Sequence, residues 1–481
     1  MENTKFNLFS FQAEYKILHL TWLAFFMSFA VWLSVGPMMP FIQEYFDLSK
    51  QQAQTLLILN IAMTIPARVI VGILVDHFGP KIIFSGILIL GGLISILFSW
   101  AQTYEQLAFM RFLSGFIGAG FVVGIRIIAE WFPAHKNGTA QGIYGGFGNF
   151  GSAAAAIILP FLAVLWAENG WRIAITLISL VAIIYGIFYY FNVSNTPKNS
   201  TYLKPKKSGV MEVNSLKDLI LYSITNSFIY LALAIIVWKL SPNNMALLSD
   251  FWANITYIIL LLILIFNTFK IWQANKVFIK NPPKFQSYKF KQVAVLKASY
   301  FVTFGAELAL VSILALFYAE WFGVSKFYAA LLSGIYPFLN LFSRPLGGFI
   351  SDKIGRKLTI IIAFSGISVV FLTLGLLDKS WPIWLVVALS IAGGIFSQAG
   401  SGAVFAIAPL IQKRLTGQIA GMVGAFGNIG AVVFLTINSF VEYDKFFLFI
   451  GISGFFVLAL IILLLENPQK QTVNPQADGN I

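Results

Sequence analysis

The sequence predicts an all-α polytopic membrane protein made of two repeated six-helix halves and an inserted two-helix hairpin. Three observations carry this prediction: an apolar composition, fourteen apolar runs of membrane-spanning length, and an internal repeat. Of the 481 residues, 58% are hydrophobic and only 11% are charged, whereas soluble proteins carry about 25% charged residues. Water is therefore not the main solvent of this chain.

The composition also excludes several classes of site. The formal net charge of +13 would by itself suggest a nucleic-acid partner, but the basic residues lie in short segments between apolar runs, which is typical of orientation in a bilayer. Cysteine is absent, so no disulfide framework or thiolate metal site is expected. The three histidines, His19, His77 and His135, lack ligand spacing, and we expect neither a metal site nor a cofactor.

A helix needs about twenty apolar residues to cross the hydrocarbon of a bilayer. On this criterion the first half, 1–191, has runs at 17–39, 53–75, 82–101, 107–131, 138–164 and 171–191, and the second half, 293–465, has runs at 293–321, 327–351, 358–376, 381–408, 417–440 and 446–465. The linker, 192–292, has two further runs, 218–239 and 249–272, which predict an inserted transmembrane hairpin; residues 466–481 form a tail. The alternative for the linker is a soluble segment with two buried amphipathic helices.

Lysine and arginine concentrate in the loops that lie on the same side as the N-terminus. Cytoplasmic loops retain such residues, so we expect both termini and the tail in the cytoplasm. This arrangement predicts a multi-pass protein of the bacterial cytoplasmic membrane, in contact with lipid and with no nucleic-acid partner.

An internal repeat is the strongest feature of the chain. The segment from Arg68 to Lys81 matches the segment from Arg344 to Lys357 without a gap. A second, glycine-rich pair repeats in the same order and consists of Gly142, Gly145, Gly148, Asn149 and Gly151, matched by Gly421, Gly424, Gly427, Asn428 and Gly430. Parallel repeats of this kind place a transported substrate at their interface near the middle of the membrane.

The first repeated pattern, G-x-x-x-D-x-x-G-x-K, begins at Gly72 and at Gly348. It resembles the loop signature of the major facilitator superfamily, and this resemblance implies a gating role for Asp76 and Asp352. Arg111, which is followed by glycines in an apolar run, resembles the fourth-helix signature of the same superfamily, which implies gating or coupling. A structural arginine that reaches for the outer interface is the alternative for Arg111.

Arg68 and Arg344 lie deeper in the membrane, each roughly 12 Å before its aspartate at 1.5 Å per residue. Arginine at that depth is costly and usually faces an internal cavity on a substrate pathway. Repeat symmetry directs both guanidinium groups to one cavity, and their planar, forked donors suit a planar oxyanion. The alternative is that each pairs with a buried carboxylate, for which Glu307 is the one candidate well inside a run.

The doubled G-x-x-G-x-x-G-N-x-G resembles the signature of the nitrate/nitrite porter family, over the whole chain apart from the hairpin. The glycines predict close helix packing. The resemblance implies that Arg68, Arg344, Asn149 and Asn428 bind nitrate or nitrite, whereas glycine-packed helices with asparagines that bond a neighbouring helix are the alternative. Aromatic residues Phe29, Trp32 and Phe304 are candidates for the cavity wall, although packing is their commoner role.

The expected function is secondary active transport of nitrate or nitrite by alternating access, with a single chain as the functional unit. Glu307 is either the proton acceptor of a symporter, because burial favours its neutral form and the arginines its charged form, or a permanently ionised partner of the arginines. A nitrate/nitrite antiporter, a porter of another small molecule and a membrane nitrate sensor are the alternatives. A sensor would be expected to carry a sizeable soluble output domain. No motif of nucleotide binding or nucleophile activation predicts an enzyme.

Overall fold

A computed structural model describes residues 9–132, 134–198, 210–211, 213, 215–280, 288–411 and 416–466. All regular structure within this part of the chain is helical. The helices are α1 (Ala13–Leu33), α2 (Val35–Phe46), α3 (Lys50–Phe78), α4 (Pro80–Ser99), α5 (Tyr104–Leu113), α6 (Gly120–Trp131), α7 (Ala134–Val164), α8 (Gly170–Asn192), α9 (Leu216–Leu240), α10 (Asp250–Lys280), α11 (Phe290–Phe322), α12 (Lys326–Phe338), α13 (Asn340–Ile354), α14 (Arg356–Leu374), α15 (Ile383–Ile411), α16 (Thr416–Asn438) and α17 (Tyr443–Leu464). A short 3₁₀ helix, Ser114–Ala119, joins α5 to α6.

Thirteen helical segments of the described chain are long and apolar enough to cross a membrane. The sequence predicts fourteen runs, and the difference lies at 327–351, where the helix breaks at Leu339 into α12 and α13. Pro337 and Pro345 flank this break, and proline removes a backbone donor and displaces the preceding turn. Each part alone is shorter than a span, whereas α1 and α2, which are also separate helices, together form the apolar span Glu14–Phe46.

Glycines set the register of corresponding helices in the two halves. Gly151 of α7 lies against the carbonyl oxygen of Phe26 in α1, and Gly430 of α16 lies against the carbonyl oxygen of Phe301 in α11. A Cβ atom at either glycine would collide with backbone. The contacts make α1 correspond to α11, in a register that aligns Phe26 with Phe301.

The loop signature also follows the repeat. Gly79, between α3 and α4, has φ 84°, and Gly355, between α13 and α14, has φ 109°. Only glycine adopts such values without strain. The second glycine of each G-x-x-x-D-x-x-G-x-K pattern is therefore needed for a sharp turn between two helices.

The inserted helix α9 packs against α11, α16 and its partner α10. Lys297 of α11 reaches Thr225 Oγ1 of α9 at 2.9 Å, and Lys239 of α9 donates to Ser439 just beyond α16. Both lysines are buried. In contrast, α10 has few fully buried residues and lies at the surface of the bundle.

Polar contacts join the halves at one end of the bundle, which we call the opposite side because it lies away from the start of α1 and the end of α17. Lys326 binds Glu44, and Gln43 Nε2 donates to Glu320 Oε1 at 3.2 Å. These contacts connect α2 of the first half to the end of α11 and the start of α12. The halves are thus closed together on the opposite side.

Candidate functional site

A small cavity lies between the two halves, in the middle of the helix bundle. It is lined by Phe25, Phe29, Arg68, Phe121, Asn149, Tyr300, Phe304 and Arg344. It has room for about one water molecule. The structure therefore brings the two repeat-related arginines to one enclosed place.

Arg68 reaches from α3 across the interface to the glycine-rich helix of the other half. Its Nη1 lies 3.3 Å from the carbonyl oxygen of Gly424. With the amide of Asn428 turned so that its oxygen faces the guanidinium, Oδ1 accepts from Arg68 Nη1 at 2.7 Å and from Nε at 3.3 Å. The ring of Phe121 lies 5.7 Å away. Arg68 is thus held by neutral groups alone among the contacts that the structure describes.

Arg344 has a different partner. Its Nη2 lies 3.0 Å from Glu307 Oε2 on α11, and Asn340 Nδ2 donates to the other oxygen, Oε1, at 2.7 Å. Glu307 is only 2% exposed. The expectation that arginine pairs with a buried carboxylate therefore applies to Arg344 but not, within the described chain, to Arg68.

The second arginine retains an unused hydrogen-bond donor. Arg344 lines the cavity, and its Nε is buried with no hydrogen-bond partner among the described residues. Its guanidinium carbon lies 5.3 Å from the ring centre of Phe304. An orphaned donor on a buried cation is costly, so Arg344 retains the capacity to bind one further acceptor.

The charges of this site do not cancel. The described lining contains two arginines and no carboxylate, and Glu307, which binds Arg344 from outside the lining, supplies one negative charge. One positive charge remains in surroundings rich in aromatic rings. Because low polarity strengthens electrostatic attraction, this arrangement favours a small anion.

The two signature asparagines are not equivalent. Asn428 holds Arg68, as described above, but is not among the lining residues. Asn149 lines the cavity, and its Nδ2 donates to the carbonyl of Gly145 in its own helix at 2.7 Å. This intrahelical bond uses Nδ2 and leaves Oδ1 of Asn149 out.

The glycine signature divides into two groups. Gly148 lies against Phe25, and Gly427 lies 2.6 Å, measured from an added Cβ, from the ring of Phe304; with Gly151 and Gly430 they allow close packing. Gly145 and Gly421 have open space at that position, and Gly424 instead offers its carbonyl to Arg68. The surroundings of Gly142 are outside the part that the structure describes.

Arg111 does not reach the cavity lining. Its Nε donates to the carbonyl of Leu56 at 3.2 Å and its Nη1 to the carbonyl of Trp32 at 3.1 Å. Trp32 lies next to the junction of α1 and α2, where carbonyls lose their helical partners. In this structure Arg111 caps that junction, and it is buried instead of reaching the outer interface.

The aspartates of the loop signature cannot be placed, since the side chains of Asp76 and Asp352 lie outside the described residues. Their gating role stays a prediction from the sequence. Arg126 and Glu130 form an ion pair of 2.6 Å across one turn of α6.

Several cavity residues are missing from the sequence-based set. Phe29 and Phe304, two of the three aromatic candidates for the cavity wall, line the cavity. Trp32, the third candidate, does not line it, and its ring centre lies 5.0 Å from that of Phe29. Phe25 and Tyr300, one turn earlier, complete the wall. An aromatic pair one helical turn apart, present at corresponding places in both halves, is the signal that identifies these residues.

Comparison with known proteins identifies the family of this chain. A family model described as Major Facilitator Superfamily matches residues 21–274 and 298–480. The nitrate/nitrite transporter NrtP of Nostoc punctiforme is 41% identical, over 98% of this chain and 96% of its own length. NrtP of Picosynechococcus sp. is 39% identical, over 96% of this chain and 95% of its own length.

Solved structures support the fold alone. The crystal structure of a D-xylose-proton symporter superposes with a TM-score of 0.65 at 15% identity, covering 95% of this chain and 98% of that chain. Its low identity carries no information on substrate. The family match and the apolar helices show that this chain is a multi-pass membrane protein. The chain belongs to the major facilitator superfamily and, within it, to the nitrate/nitrite porter family.

Proposed function

We propose that this protein transports nitrate, nitrite or both across the cytoplasmic membrane by alternating access, in the form of proton-coupled uptake. The observation that carries the proposal is the meeting of Arg68 and Arg344 in one small, aromatic cavity between the halves. A guanidinium presents several donors in one plane, and a trigonal oxyanion presents acceptors in one plane. The relatives named above are nitrate/nitrite transporters.

The size of the cavity supports a cycle of conformations. Because it has room for about one water molecule, binding and release of a larger anion require the halves to move apart on one side at a time. The contacts on the opposite side, Lys326 with Glu44 and Gln43 with Glu320, must break when that side opens. Orientation by the loop charges makes the opposite side extracytoplasmic and leaves both termini in the cytoplasm.

Glu307 is the proposed proton acceptor. It is buried and tied to Arg344. When Glu307 takes up a proton, Arg344 loses its counter-charge and attracts an anion more strongly. By linkage, proton binding and anion binding then favour each other.

The domain division proposed for this cycle has four parts. The halves 1–191 and 293–465 move relative to each other, the linker 192–292 carries the hairpin, and residues 466–481 form a cytoplasmic tail. Since the cavity lies between halves of one chain, a monomer is sufficient as the functional unit.

The test is uptake of labelled nitrate by proteoliposomes that contain the purified protein, with and without an inward proton gradient. We expect gradient-stimulated uptake that is reduced by Arg68→Lys and by Arg344→Lys, because lysine keeps the charge but not the forked donors. A matched control is Arg172→Lys. Arg172 is also buried, but it binds the carbonyls of Ser99 and Ala101 away from the cavity.

Each outcome has a distinct meaning. Uptake that ignores the proton gradient and requires internal nitrite identifies a nitrate/nitrite antiporter. Binding of nitrate by detergent-purified protein without flux in liposomes identifies a sensor. Absence of both binding and flux rejects the nitrate assignment and leaves a porter of another small molecule.

A further inference from the structure

We propose that Asn340 is a positioning residue for proton coupling, which holds the carboxylate of Glu307 beside Arg344 and supports it in both protonation states. The inference deepens the proposed function and rests on the role of Glu307 as proton acceptor. Asn340 does not line the described cavity, and it is not part of either repeated motif. Its role follows from its position at the break between α12 and α13.

The helix break places the amide beside the carboxylate. Asn340 is the first residue of α13, directly after the break at Leu339, and Arg344 lies one turn further along the same helix. Residues four apart share one helix face. The pair therefore approaches Glu307 together, Asn340 at Oε1 (2.7 Å) and Arg344 at Oε2 (3.0 Å).

The contact is buried and specific. Asn340 is 1% exposed and Glu307 is 2% exposed, so water does not compete for either group. A hydrogen bond to a charged group of this kind contributes more than a neutral one. Without Asn340, one carboxylate oxygen would lose its donor.

The other end of the amide accounts for the second protonation state. Asn340 Oδ1 is buried and has no hydrogen-bond partner among the described residues. An asparagine amide has donors on nitrogen and acceptor capacity on oxygen. Rotated by half a turn, it would accept the proton of the neutral Glu307 acid, whereas an aliphatic side chain serves neither form.

Few other ionisable groups surround Glu307. Arg344 comes from α13, Tyr336 from α12 and Tyr300 from α11 itself, while Arg68 of α3 lies across the cavity. Helices α15 and α16 contain no ionisable residue. The ionisable residues of α2 and α17 lie at the ends of these helices on the opposite side. Helix α9 contacts α11 at Lys297, well before Glu307. Among the hydrogen bonds that the structure describes, Asn340 is thus the neutral donor to the carboxylate.

The corresponding position of the first half offers a matched control. Thr64 corresponds to Asn340 in the register that aligns Arg68 with Arg344. Its hydroxyl oxygen lies 2.8 Å from the carbonyl oxygens of both Asn60 and Gly115, and its single proton serves these acceptors instead of a carboxylate. Removing this hydroxyl disturbs a comparable buried polar contact. Thr64→Val therefore reports the general cost of such a change.

The experiment compares two transport modes in proteoliposomes: nitrate exchange at equal pH, and net nitrate uptake driven by a proton gradient. For Asn340→Leu we expect exchange within about threefold of the wild type and a loss of about tenfold or more in gradient-driven uptake, the scale of one hydrogen bond to a charged group. Thr64→Val should change both modes equally. Equal loss of both modes in Asn340→Leu would overturn the proposal.

A double variant separates positioning from a general structural role. Glu307→Gln should abolish the gradient stimulation, and adding Asn340→Leu to it should cause no further loss in exchange, since Asn340 acts through Glu307. Additive losses would refute the proposal for Asn340 while leaving the proposed function intact. Wild-type exchange without any gradient stimulation would reject both proton coupling and the role of Asn340, and no wild-type nitrate flux would reject the substrate itself.

Discussion

Glu307 and Trp32 occupy corresponding positions in the two halves, in the register that the glycine contacts of Phe26 and Phe301 set. The carboxylate of Glu307 binds the arginine of its own half, Arg344. Trp32 offers Arg68 no charge, and its ring packs instead against Phe29. The repeat therefore yields two arginines at one cavity, of which only one has a described carboxylate partner.

This asymmetry predicts that the two arginines contribute unequally to anion attraction. The charge of Arg344 is offset by Glu307, whereas Arg68 is held by the neutral groups of Asn428 and Gly424. A buried carboxylate that loses its cationic partner takes up a proton, so we expect Arg344→Gln to leave the positive charge of Arg68 at the cavity, whereas Arg68→Gln leaves none. Arg68→Gln should therefore raise the Kd for nitrate by more than tenfold over Arg344→Gln, about 1.4 kcal/mol. Calorimetric titration of nitrate into each purified variant measures this. Equal losses would contradict the unequal charge balance.

The glycines predict a contrast within one signature. Gly430→Ala places a Cβ against the carbonyl of Phe301, with no flexible side chain to move away. We expect a loss of stability on the order of 1–3 kcal/mol, as for other overpacked contacts. Gly421→Ala has open space and is the control. Thermal unfolding in detergent should show a lower midpoint for the first variant only, and equal midpoints would show that packing does not constrain Gly430.

The buried lysine of α11 predicts how the hairpin is attached. Thr225→Val removes the hydroxyl that binds Lys297 Nζ and leaves a buried ammonium with only aromatic rings as neighbours among the described contacts. We expect a loss of about 1–3 kcal/mol, which appears as a lower unfolding midpoint. Adding Lys297→Met should restore the midpoint, because a well-packed apolar side chain replaces a buried charge at little cost. A double variant less stable than Thr225→Val would contradict this explanation.

The contact across the opposite side can be tested by cross-linking. The chain contains no cysteine, so Gln43→Cys with Glu320→Cys introduces the only two thiols. Their native side chains meet at 3.2 Å, and a short bifunctional thiol reagent should join the halves on that side. We expect nitrate flux to stop on cross-linking and to return when a cleavable reagent is reduced, with each single variant as control. Full flux in the cross-linked protein would show that this contact need not open.

Much of the fold can be predicted from the sequence, because each helix that crosses the hydrocarbon core of a bilayer needs about twenty apolar residues in a row. Thirteen of the fourteen predicted runs correspond to helical segments that are long and apolar enough to cross a membrane. The break at Leu339 is less visible, since Pro337 and Pro345 also occur in the interior of continuous membrane helices. It depends on the surroundings, such as the bond from Gln398 Nε2 to the carbonyl of Tyr336 at 2.9 Å.

The candidate site is less completely encoded in local patterns. Depth and repetition identify Arg68 and Arg344, because charge in an apolar run is conspicuous. Asn340 gives no such signal, since an asparagine in a membrane helix has many possible partners. Its importance depends on which helix crosses in front of it, and that helix, α11, lies well before it in the chain.

The two contacts of glycine with a facing carbonyl, at Gly151 and Gly430, have a mechanical consequence. With no side chain between the contacting backbones, α1 and α7 form one rigid helix pair, a strut, and α11 and α16 form another. At these contacts no side chain can change rotamer to absorb a displacement, so we expect each pair of helices to move as one body. Displacement during a transport cycle must therefore concentrate in the seams between the struts, where α2 meets α11 and α7 meets α12.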